Sequence, residues 1–295
     1  MEFHKLSIDD KEIFEQFFMR TPQVLCAHNF AYIYIWSNIY SVEWVILKER
    51  LCVFFKDNLG VFLIIPPVGK PDVALTGHIF DILDKLNTNS DICRIENADS
   101  DQAAIYKSFG YDAAEKFSEY VCKTEDLSLL RGGRLKSKRA GVNFFTKNNN
   151  YLYQPYNPAD KEECLKLYDS WSAERSANSN DQVYVGMLED SKKAFVVLLD
   201  NLDNLGIVAR VVRVGGEIKG FTCGYELNPN TFVVLYEVTD LSIKGLAQFI
   251  FMKFCQDLSR YAYINIMDDS GLGNLAKTKL SYRPVKLEPS FIIKR

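Results

Sequence analysis

Three carboxylates stand at or just after the ends of apolar runs that are typical of buried strands. Glu237 closes the run Phe232 to Val238, and Asp268 and Asp269 follow the run Tyr263 to Met267. A carboxylate in such a place can take a proton from an attacking nucleophile, and nearby backbone N–H groups can stabilise an oxyanion. Glu237 and Asp269 are therefore the predicted catalytic residues, with an edge residue and a helix cap as the alternatives.

Cationic side chains follow these carboxylates within one short segment. Lys277, Lys279 and Arg283 can neutralise a phosphate or a developing oxyanion, and Asp268 can bind the cationic amine of a donor or an acceptor. We therefore predict that these four residues bind substrate. The alternative interpretation is a solvated helix face.

A second group of cations forms a basic stripe near the middle of the chain. No Asp or Glu occurs from Leu127 to Ala159, although the whole chain has a net charge of -3. The stripe suits an RNA backbone or a phospholipid headgroup, and Phe144, Phe145, Tyr151 and Tyr153 offer rings for base stacking. A solvated linker helix is the alternative. The basic stripe consists of Arg131, Arg134, Lys136, Lys138, Arg139 and Lys147, of which Lys138 and Arg139 are predicted to bind substrate.

The elements that must position these residues occur in a repeated order. The second half reads strand, two helices, three-strand meander, helix, strand, helix, strand, and the first half has a similar order. The passages Ile95–Ser100 and Ile264–Ser270 also correspond, at an offset of roughly 170 residues. The sequence thus predicts an α/β fold with mixed sheets and two tandem units, at 1–125 and 150–295, with a basic linker at 126–149.

The composition of the chain also limits the kind of protein that it can be. An apolar content of 47% in 295 residues allows two packed domains, and the apolar run Val61–Ile65 is far too short to span a bilayer. The start of the chain has no signal-peptide pattern. Seven cysteines without a C-x-x-C pair and only three histidines predict no metal site and a reducing, cytoplasmic location.

Four passages together resemble a known family. They are Phe30–Trp36; Tyr120 with Asp126–Leu127, Gly132–Gly133, Lys136–Arg139 and Asn143–Phe145; Tyr236–Asp240 with Ile243–Gly245; and Ile264–Asn265 through Asp268–Leu272 to Lys277–Pro284. On these passages the chain is similar to the family named for the C-terminal domain of phosphatidylglycerol lysyltransferases, including its stand-alone soluble members. Its two-copy order resembles that of the Fem-type peptidyltransferases, in which each copy is a GNAT-like acyltransferase unit.

The resemblance implies roles for further residues. It adds Asn265 to the predicted substrate-binding residues, and it suggests a phosphate-binding turn at Ser242, Gly245 and Ala247, since a helix N-terminus is a natural phosphate site. Gly245 and Ala247 fit the superfamily's loop, whereas Ser242 stands where Arg or Gln is usual. Pro66–Pro67 removes N–H donors from the same place in the first copy, so we expect that copy to have a structural or acceptor-shaping role.

The resemblance also implies the reaction. The predicted activity is transfer of an aminoacyl group from aminoacyl-tRNA to an amine or hydroxyl acceptor, with no certain cofactor. An N-acyltransferase that uses acetyl-CoA and a non-catalytic binding or regulatory protein are the alternatives. The family's membrane-embedded members modify phosphatidylglycerol, and the lack of a spanning segment in this sequence leaves proteins, peptides and small amines open beside a lipid headgroup. The acceptor and the oligomeric state stay open.

Overall fold

A computed structural model of the protein describes residues 3–177 and 180–295. The helices are α1 (Lys11–Phe18), α2 (Phe30–Ile35), α3 (Val73–Leu86), α4 (Ser100–Ser108), α5 (Thr124–Leu129), α6 (Lys136–Asn148), α7 (Lys161–Ala177), α8 (Gln182–Asp200), α9 (Leu202–Leu205), α10 (Leu246–Asp257) and α11 (Gly273–Leu280). The strands are β1 (His4–Lys5), β2 (Ser41–Leu47), β3 (Arg50–Lys56), β4 (Val61–Leu63), β5 (Ile95–Ala98), β6 (Asp112–Lys123), β7 (Tyr151–Pro155), β8 (Val208–Val214), β9 (Glu217–Asn228), β10 (Thr231–Thr239), β11 (Tyr263–Asn265) and β12 (Lys286–Lys294). This mixture of strands and helices confirms the predicted α/β class.

The chain divides into two compact units. The first unit contains the described residues through Glu119 together with Asp268–Gly271 and Leu287–Arg295. The second unit contains Tyr120–Met267 and Leu272–Lys286. Each unit therefore draws on both halves of the sequence.

The first unit has a mixed sheet in the order β1-β2-β3-β4-β5-β12. Strands β1 to β4 are antiparallel neighbours, whereas β4 and β5 are parallel and pair through Leu63 and Ile95. Helix α3 begins at Asp72, whose carboxylate accepts the N–H of Leu75 at 2.6 Å. Its buried face includes Phe80, which belongs to the apolar core formed with this sheet.

The second unit has a mixed sheet in the order β11-β10-β9-β8-β7, and the last residues of β6 pair with β11. Strands β8, β9 and β10 form the predicted antiparallel meander, and β10 and β11 run parallel. Helix α10 packs Phe249 and Ile250 with Val212 of β8, and on α8 the ring of Phe195 contacts Phe221 of β9 at 5.1 Å. These contacts give the sheet its buried apolar core.

Helix α6 packs within the second unit, although the sequence predicted a separate linker at 126–149. Val142 and Phe145 of α6 are buried with Leu246 and Phe249 of α10. Four members of the basic stripe, Lys136, Lys138, Arg139 and Lys147, thus lie on a helix that also contributes buried residues to an apolar core.

The predicted closing strands of the two halves do not stay within the predicted domain limits. Val121 and Cys122 of β6 pair with β11 in the second unit. Phe291 and Ile293 of β12 pair with β5 in the first unit. Each unit is therefore completed by a strand from the other half of the chain, which a boundary drawn at one point in the sequence does not anticipate.

All seven cysteines are free and buried, as expected for small apolar side chains in the core. Between residues 3 and 177 and between 180 and 295, no helix is long and apolar enough to cross a bilayer. Across the same two ranges, His, Cys, Asp and Glu form no group suited to a metal ion.

Candidate active site

The parallel strands of the second unit separate before β10 ends. Thr231–Val233 pairs with Tyr263–Asn265 of β11, and in the described part of the chain no later residue of β10 pairs with that strand. Strand β10 nevertheless continues to Thr239, held by β9 on its other side. The sheet therefore opens along β10 beyond Val233.

A bulge in β10 lies at the start of this opening. Val234 pairs with Gly224 and Tyr236 pairs with Cys223, so Leu235 is the additional residue. A bulge of this kind bends the strand and changes the direction of the following side chains. Gly224 is required opposite the bulge, because a Cβ there would lie 1.9 Å from the carbonyl oxygen of Val233.

The two residues after the bulge face opposite sides of the sheet, as neighbours on a strand do. Tyr236 faces α8, where its hydroxyl donates to the carbonyl oxygen of Ser191 at 3.0 Å and its ring lies 5.1 Å from that of Phe195. Glu237 therefore faces the side of α10, and its charge acts on Cys255 of that helix. The anchored Tyr236 fixes the direction in which Glu237 points.

Glu237 has an altered proton affinity. Burial raises the pKa of its carboxyl group to about 8, and the positive charges of Lys138 and Lys279 oppose this rise in that order. The side chain as a whole is only half-buried, so it keeps some access to solvent. A carboxyl group with a pKa near the working pH can both accept and return a proton, which is the property required of a general base.

Two lysines from different helices act on Glu237. Lys138 of α6 is half-buried, and its Nζ atom lies 4.0 Å from the centre of the Tyr282 ring. Burial lowers the pKa of Lys138, while the charge of Glu237 raises it. Lys279 of α11 donates through Nζ to the carbonyl oxygen of Ile266 at 2.6 Å. The structure thus brings together Glu237, Lys138 and Lys279, three of the residues selected from the sequence.

Other predicted substrate-binding residues of the second unit have different surroundings. Asn265 is fully buried, and its Oδ1 accepts the N–H of Met267 at 2.8 Å, so it supports the end of β11. Lys277 and Arg283 are exposed, and Arg283 has a φ of 61° in the turn after α11. A role for these side chains in substrate binding stays a prediction.

Arg139 is committed to the loop that precedes α6. Its guanidinium donates to the carbonyl oxygen of Leu130, and to that of Gly132 at 3.3 Å. Leu130 ends α5 in the left-handed region, with a φ of 46°. Arg139 therefore stabilises this loop, which explains its presence without a substrate.

Asp268 and Asp269 belong to a turn of the first unit. Asp268 accepts the N–H of Ser270 at 2.7 Å, and Asp269 accepts the N–H of Gly271 at 2.9 Å. Such bonds are typical of aspartates in turns. The catalytic role of Asp269 and the substrate-binding role of Asp268 stay predictions.

The turn before α10 has features that oppose the predicted phosphate site. A Cβ on Gly245 would lie 2.1 Å from the carbonyl oxygen of Gly141, so α6 fills the space beside this residue. The hydroxyl of Ser242 donates to the carboxylate of Asp240 at 2.5 Å. The carbonyl oxygen and the carboxylate are unfavourable neighbours for a phosphate, and a phosphate-binding role for Ser242, Gly245 and Ala247 stays a prediction.

The basic stripe is exposed in part. Phe144 is 42% exposed, and Lys244 lies over its ring at 4.7 Å from the centre. Phe145, by contrast, is fully buried, so the prediction that it stacks on bases is wrong: its ring packs at 4.7 Å from that of Phe249. The exposed cations of the stripe are Arg131, Arg134, Lys136 and Lys147.

Two residues beside Glu237 were not selected from the sequence. The charge of Glu237 adds to the effect of burial in raising the pKa of Tyr282 and of Cys255. Tyr282 was noted only as part of a family motif, and Cys255 only as an apolar residue. No local pattern shows that they share a site, because each comes from a different helical segment.

Several solved structures are similar to the fold of this chain. A crystal structure of a conserved protein of unknown function from Bacteroides thetaiotaomicron has a TM-score of 0.88 and 24% identity over 99% of both chains. The structure of L-PGS from Bacillus licheniformis has a TM-score of 0.66 and 14% identity over 97% of this chain and 92% of its own. A tandem GNAT protein from the clavulanic acid biosynthesis pathway has a TM-score of 0.54 and 11% identity over 99% of this chain and 97% of its own. No curated protein sequence matches the chain.

The fold is therefore that of the tandem GNAT-like proteins, as the order of elements predicted. The sequence matches the family described as phosphatidylglycerol lysyltransferase, C-terminal, over residues 18–294. The chain belongs to this family. Family and fold together support an acyltransferase.

Proposed function

We propose that the protein transfers an aminoacyl group from aminoacyl-tRNA to an amine or hydroxyl acceptor at Glu237. The observation that carries this proposal is a half-buried carboxyl group, with a pKa of about 8, at the opening between β10 and β11. Membership of the phosphatidylglycerol lysyltransferase C-terminal family supports this type of donor. Aminoacyl-tRNA is a cytoplasmic substrate, so the proposal carries a cytoplasmic location with it.

The reaction is direct attack on the aminoacyl ester. The nucleophile of the acceptor forms a bond to the ester carbonyl carbon, and its proton passes to the carboxylate of Glu237. The bond from that carbon to the ribose oxygen then breaks, and Glu237 returns the proton to this oxygen. Lys279, together with backbone N–H groups of β10 beyond the bulge, is suited to stabilising the oxyanion.

The surroundings of the second unit favour tRNA over coenzyme A as the donor. The carbonyl oxygen of Gly141 and the carboxylate of Asp240 adjoin the turn where a pyrophosphate would bind. The exposed cations of the basic stripe, in contrast, suit a nucleic acid backbone. An N-acyltransferase that uses acetyl-CoA is the alternative that the following experiment tests.

The test measures binding of labelled aminoacyl-tRNA and of acetyl-CoA to the purified protein, each at several salt concentrations. We expect tRNA binding that weakens with salt and is reduced at least tenfold in the variant with Arg131, Arg134 and Lys136 changed to Ala. The matched control changes the exposed residues Lys56, Lys85 and Lys123 to Ala and should bind nearly as the wild type does.

Transfer is then measured with labelled aminoacyl-tRNA and separate acceptors, namely amine-bearing peptides, small amines and phosphatidylglycerol vesicles. Label that moves to any one acceptor, and does so more slowly in Glu237→Gln, supports the proposal. Saturable acetyl-CoA binding without tRNA binding overturns it in favour of an N-acyltransferase. Binding of neither donor overturns it in favour of a non-catalytic protein.

A further inference from the structure

We propose that Lys138 is a positioning residue for Glu237, and that the ring of Tyr282 holds the Lys138 ammonium group at this carboxyl group. This inference rests on the proposed function, because it concerns the group assigned as the base. It joins Lys138 of α6, Glu237 of β10 and Tyr282 in the turn after α11 in one arrangement.

The geometry of the pair carries the inference. The Nζ atom of Lys138 lies 4.0 Å from the centre of the Tyr282 ring, within the range of a cation–π contact. A lysine ammonium is a point charge on a flexible stem, so its position depends on such a contact. Without the ring, the same charge would be free to move into solvent.

The ring of Tyr282 is itself fixed. Tyr282 is 8% exposed and lies edge-on against Phe251 of α10, with ring centres 4.8 Å apart and an interplanar angle of 67°. Both aromatic residues belong to the apolar core that includes Phe254 and Ile264. Tyr282 is thus a rigid support rather than a mobile side chain.

The other groups that act on Glu237 have different supports. Lys279 of α11 is held by its hydrogen bond to the carbonyl oxygen of Ile266. Cys255 of α10 and Tyr282 stay neutral, because burial and the charge of Glu237 raise the pKa of both. Lys138 has the larger effect of the two lysines on Glu237. Loss of the ring should therefore act on Glu237 through Lys138 and leave Lys279 in place.

The test follows the titration of Glu237 by NMR in protein with carbon-13 in its glutamate side chains. The Glu237 signal is identified by its loss in Glu237→Gln. We expect Lys138→Met to raise the midpoint of this titration by roughly one pH unit, since it removes an opposite charge that favours the ionised form of Glu237. Lys138→Arg should restore the wild-type midpoint, because Arg keeps the charge and stacks on rings. Lys136→Met, on the same helix but exposed, is the matched control and should leave the midpoint unchanged.

Variants of Tyr282 test the support. Tyr282→Phe keeps the ring and should keep the midpoint, whereas Tyr282→Leu should raise it as Lys138→Met does. The double variant Lys138→Met with Tyr282→Leu should titrate like Lys138→Met alone. Should Tyr282→Leu fail to fold, Lys138→Met, Lys138→Arg and Tyr282→Phe still decide the matter. An unchanged midpoint in Lys138→Met overturns the inference. A shift in the double variant that equals the sum of the shifts in the two single variants also overturns it.

The titration separates this inference from the proposed function, because it needs no substrate. A shift in Lys138→Met without any aminoacyl transfer supports the positioning role and contradicts the proposed reaction. Transfer that depends on Glu237, with no shift of the titration midpoint in Lys138→Met, supports the proposed reaction and contradicts the positioning role. In an active protein, Lys138→Met should also slow transfer about tenfold at pH 7 and only about twofold at pH 9, where Glu237 is mostly ionised in the wild type and about half ionised in the variant.

Discussion

The two units of the chain differ at the place where their parallel strands meet. In the second unit, pairing ends at Val233 and the strand continues past an opening to Glu237. In the first unit, β4 and β5 pair through Leu63 and Ile95, and just beyond this pair the side-chain amide of Asn97 donates to the carbonyl oxygen of Ile64 at 2.8 Å. In the first unit a side chain therefore connects the two parallel strands at the place where those of the second unit are separated.

The bridge in the first unit has its own support. Nε2 of the buried His28 donates to the carbonyl oxygen of Asn97 at 2.7 Å, and Nδ1 of the same ring lies 2.7 Å from the amide oxygen of Gln23. Burial lowers the pKa of His28, and the hydrogen bond to Asn97 opposes this effect. Pro66–Pro67 follows β4 and offers no N–H groups to a substrate. The structural role of the first copy stays a prediction, and these features agree with it.

The charged groups around the two places also differ. In the first unit, burial raises the pKa of Tyr32, and the nearby groups Cys26, Asp268, Glu119 and Glu96 raise it further. In the second unit, the charges of Lys138 and Lys279 act on the carboxyl group of Glu237. Two copies of one fold can thus keep similar strands while, in the described part of the chain, only the second opens beyond its parallel pair.

The largest expected effect concerns one carboxylate in each unit, Glu237 and Glu96. Glu237→Gln should slow aminoacyl transfer by about 10²- to 10⁴-fold, because it removes the proton acceptor. Glu96→Gln is the matched change in the first unit, where Glu96 pairs with Lys116 at 2.6 Å and with Arg94 at 2.7 Å. Its turnover per folded molecule should stay within about threefold of the wild type. Single-turnover rates with labelled aminoacyl-tRNA measure both.

An equal loss of turnover in Glu96→Gln would show that the first unit also takes part in the chemistry. Unchanged turnover in Glu237→Gln would show that Glu237 is not the proton acceptor, so the two units would not differ in this respect.

The next effect is on stability, where the two carboxylates should have opposite pH dependence. Burial raises the pKa of Glu237 to about 8, so the wild type loses stability as pH rises from about 4.5 to about 8. Glu237→Gln should then unfold with a free energy roughly 2 to 4 kcal/mol higher than the wild type at pH 9, and with little difference at pH 4. Urea unfolding at several pH values gives these free energies.

Burial would raise the pKa of Glu96, but Lys116 and Arg94 outweigh it and hold this pKa below its ordinary value. Its contribution to stability is therefore present above about pH 4.5 and is lost as pH falls through the folded-state value. Glu96→Gln should lower the free energy of unfolding by roughly 1 to 3 kcal/mol at pH 7, and by less at pH 4. Parallel pH profiles for the two variants would contradict the comparison.

The tandem fold was accessible from the sequence, because the order of elements predicted it. The catalytic role of Glu237 and the structural role of the first copy were also predicted from the sequence, and both stay predictions. The support of Lys138 by Tyr282 was not predictable, because it depends on how α6 and α11 pack around β10. The exchange of closing strands was likewise hidden, since β6 and β12 have ordinary strand patterns whichever unit they join.

The smallest expected effect concerns the bridge in the first unit. Asn97 has a φ of 52°, which costs an alanine about 1 kcal/mol, and its amide bond to Ile64 contributes about another 1 kcal/mol. Asn97→Ala should therefore lower the free energy of unfolding by about 2 kcal/mol. Asn97→Gly tolerates the backbone conformation, so its loss should be smaller, at about 1 kcal/mol. Thermal and urea unfolding of both variants separate the backbone cost from the lost hydrogen bond.

Aminoacyl transfer by the same two variants completes this test. If the bridge has only a structural role, turnover per folded molecule should equal that of the wild type in both. A turnover that falls in Asn97→Ala and Asn97→Gly alike, at a temperature where both are folded, would mean that closing the first opening matters for the reaction. The first unit would then shape the acceptor site rather than serve as a scaffold.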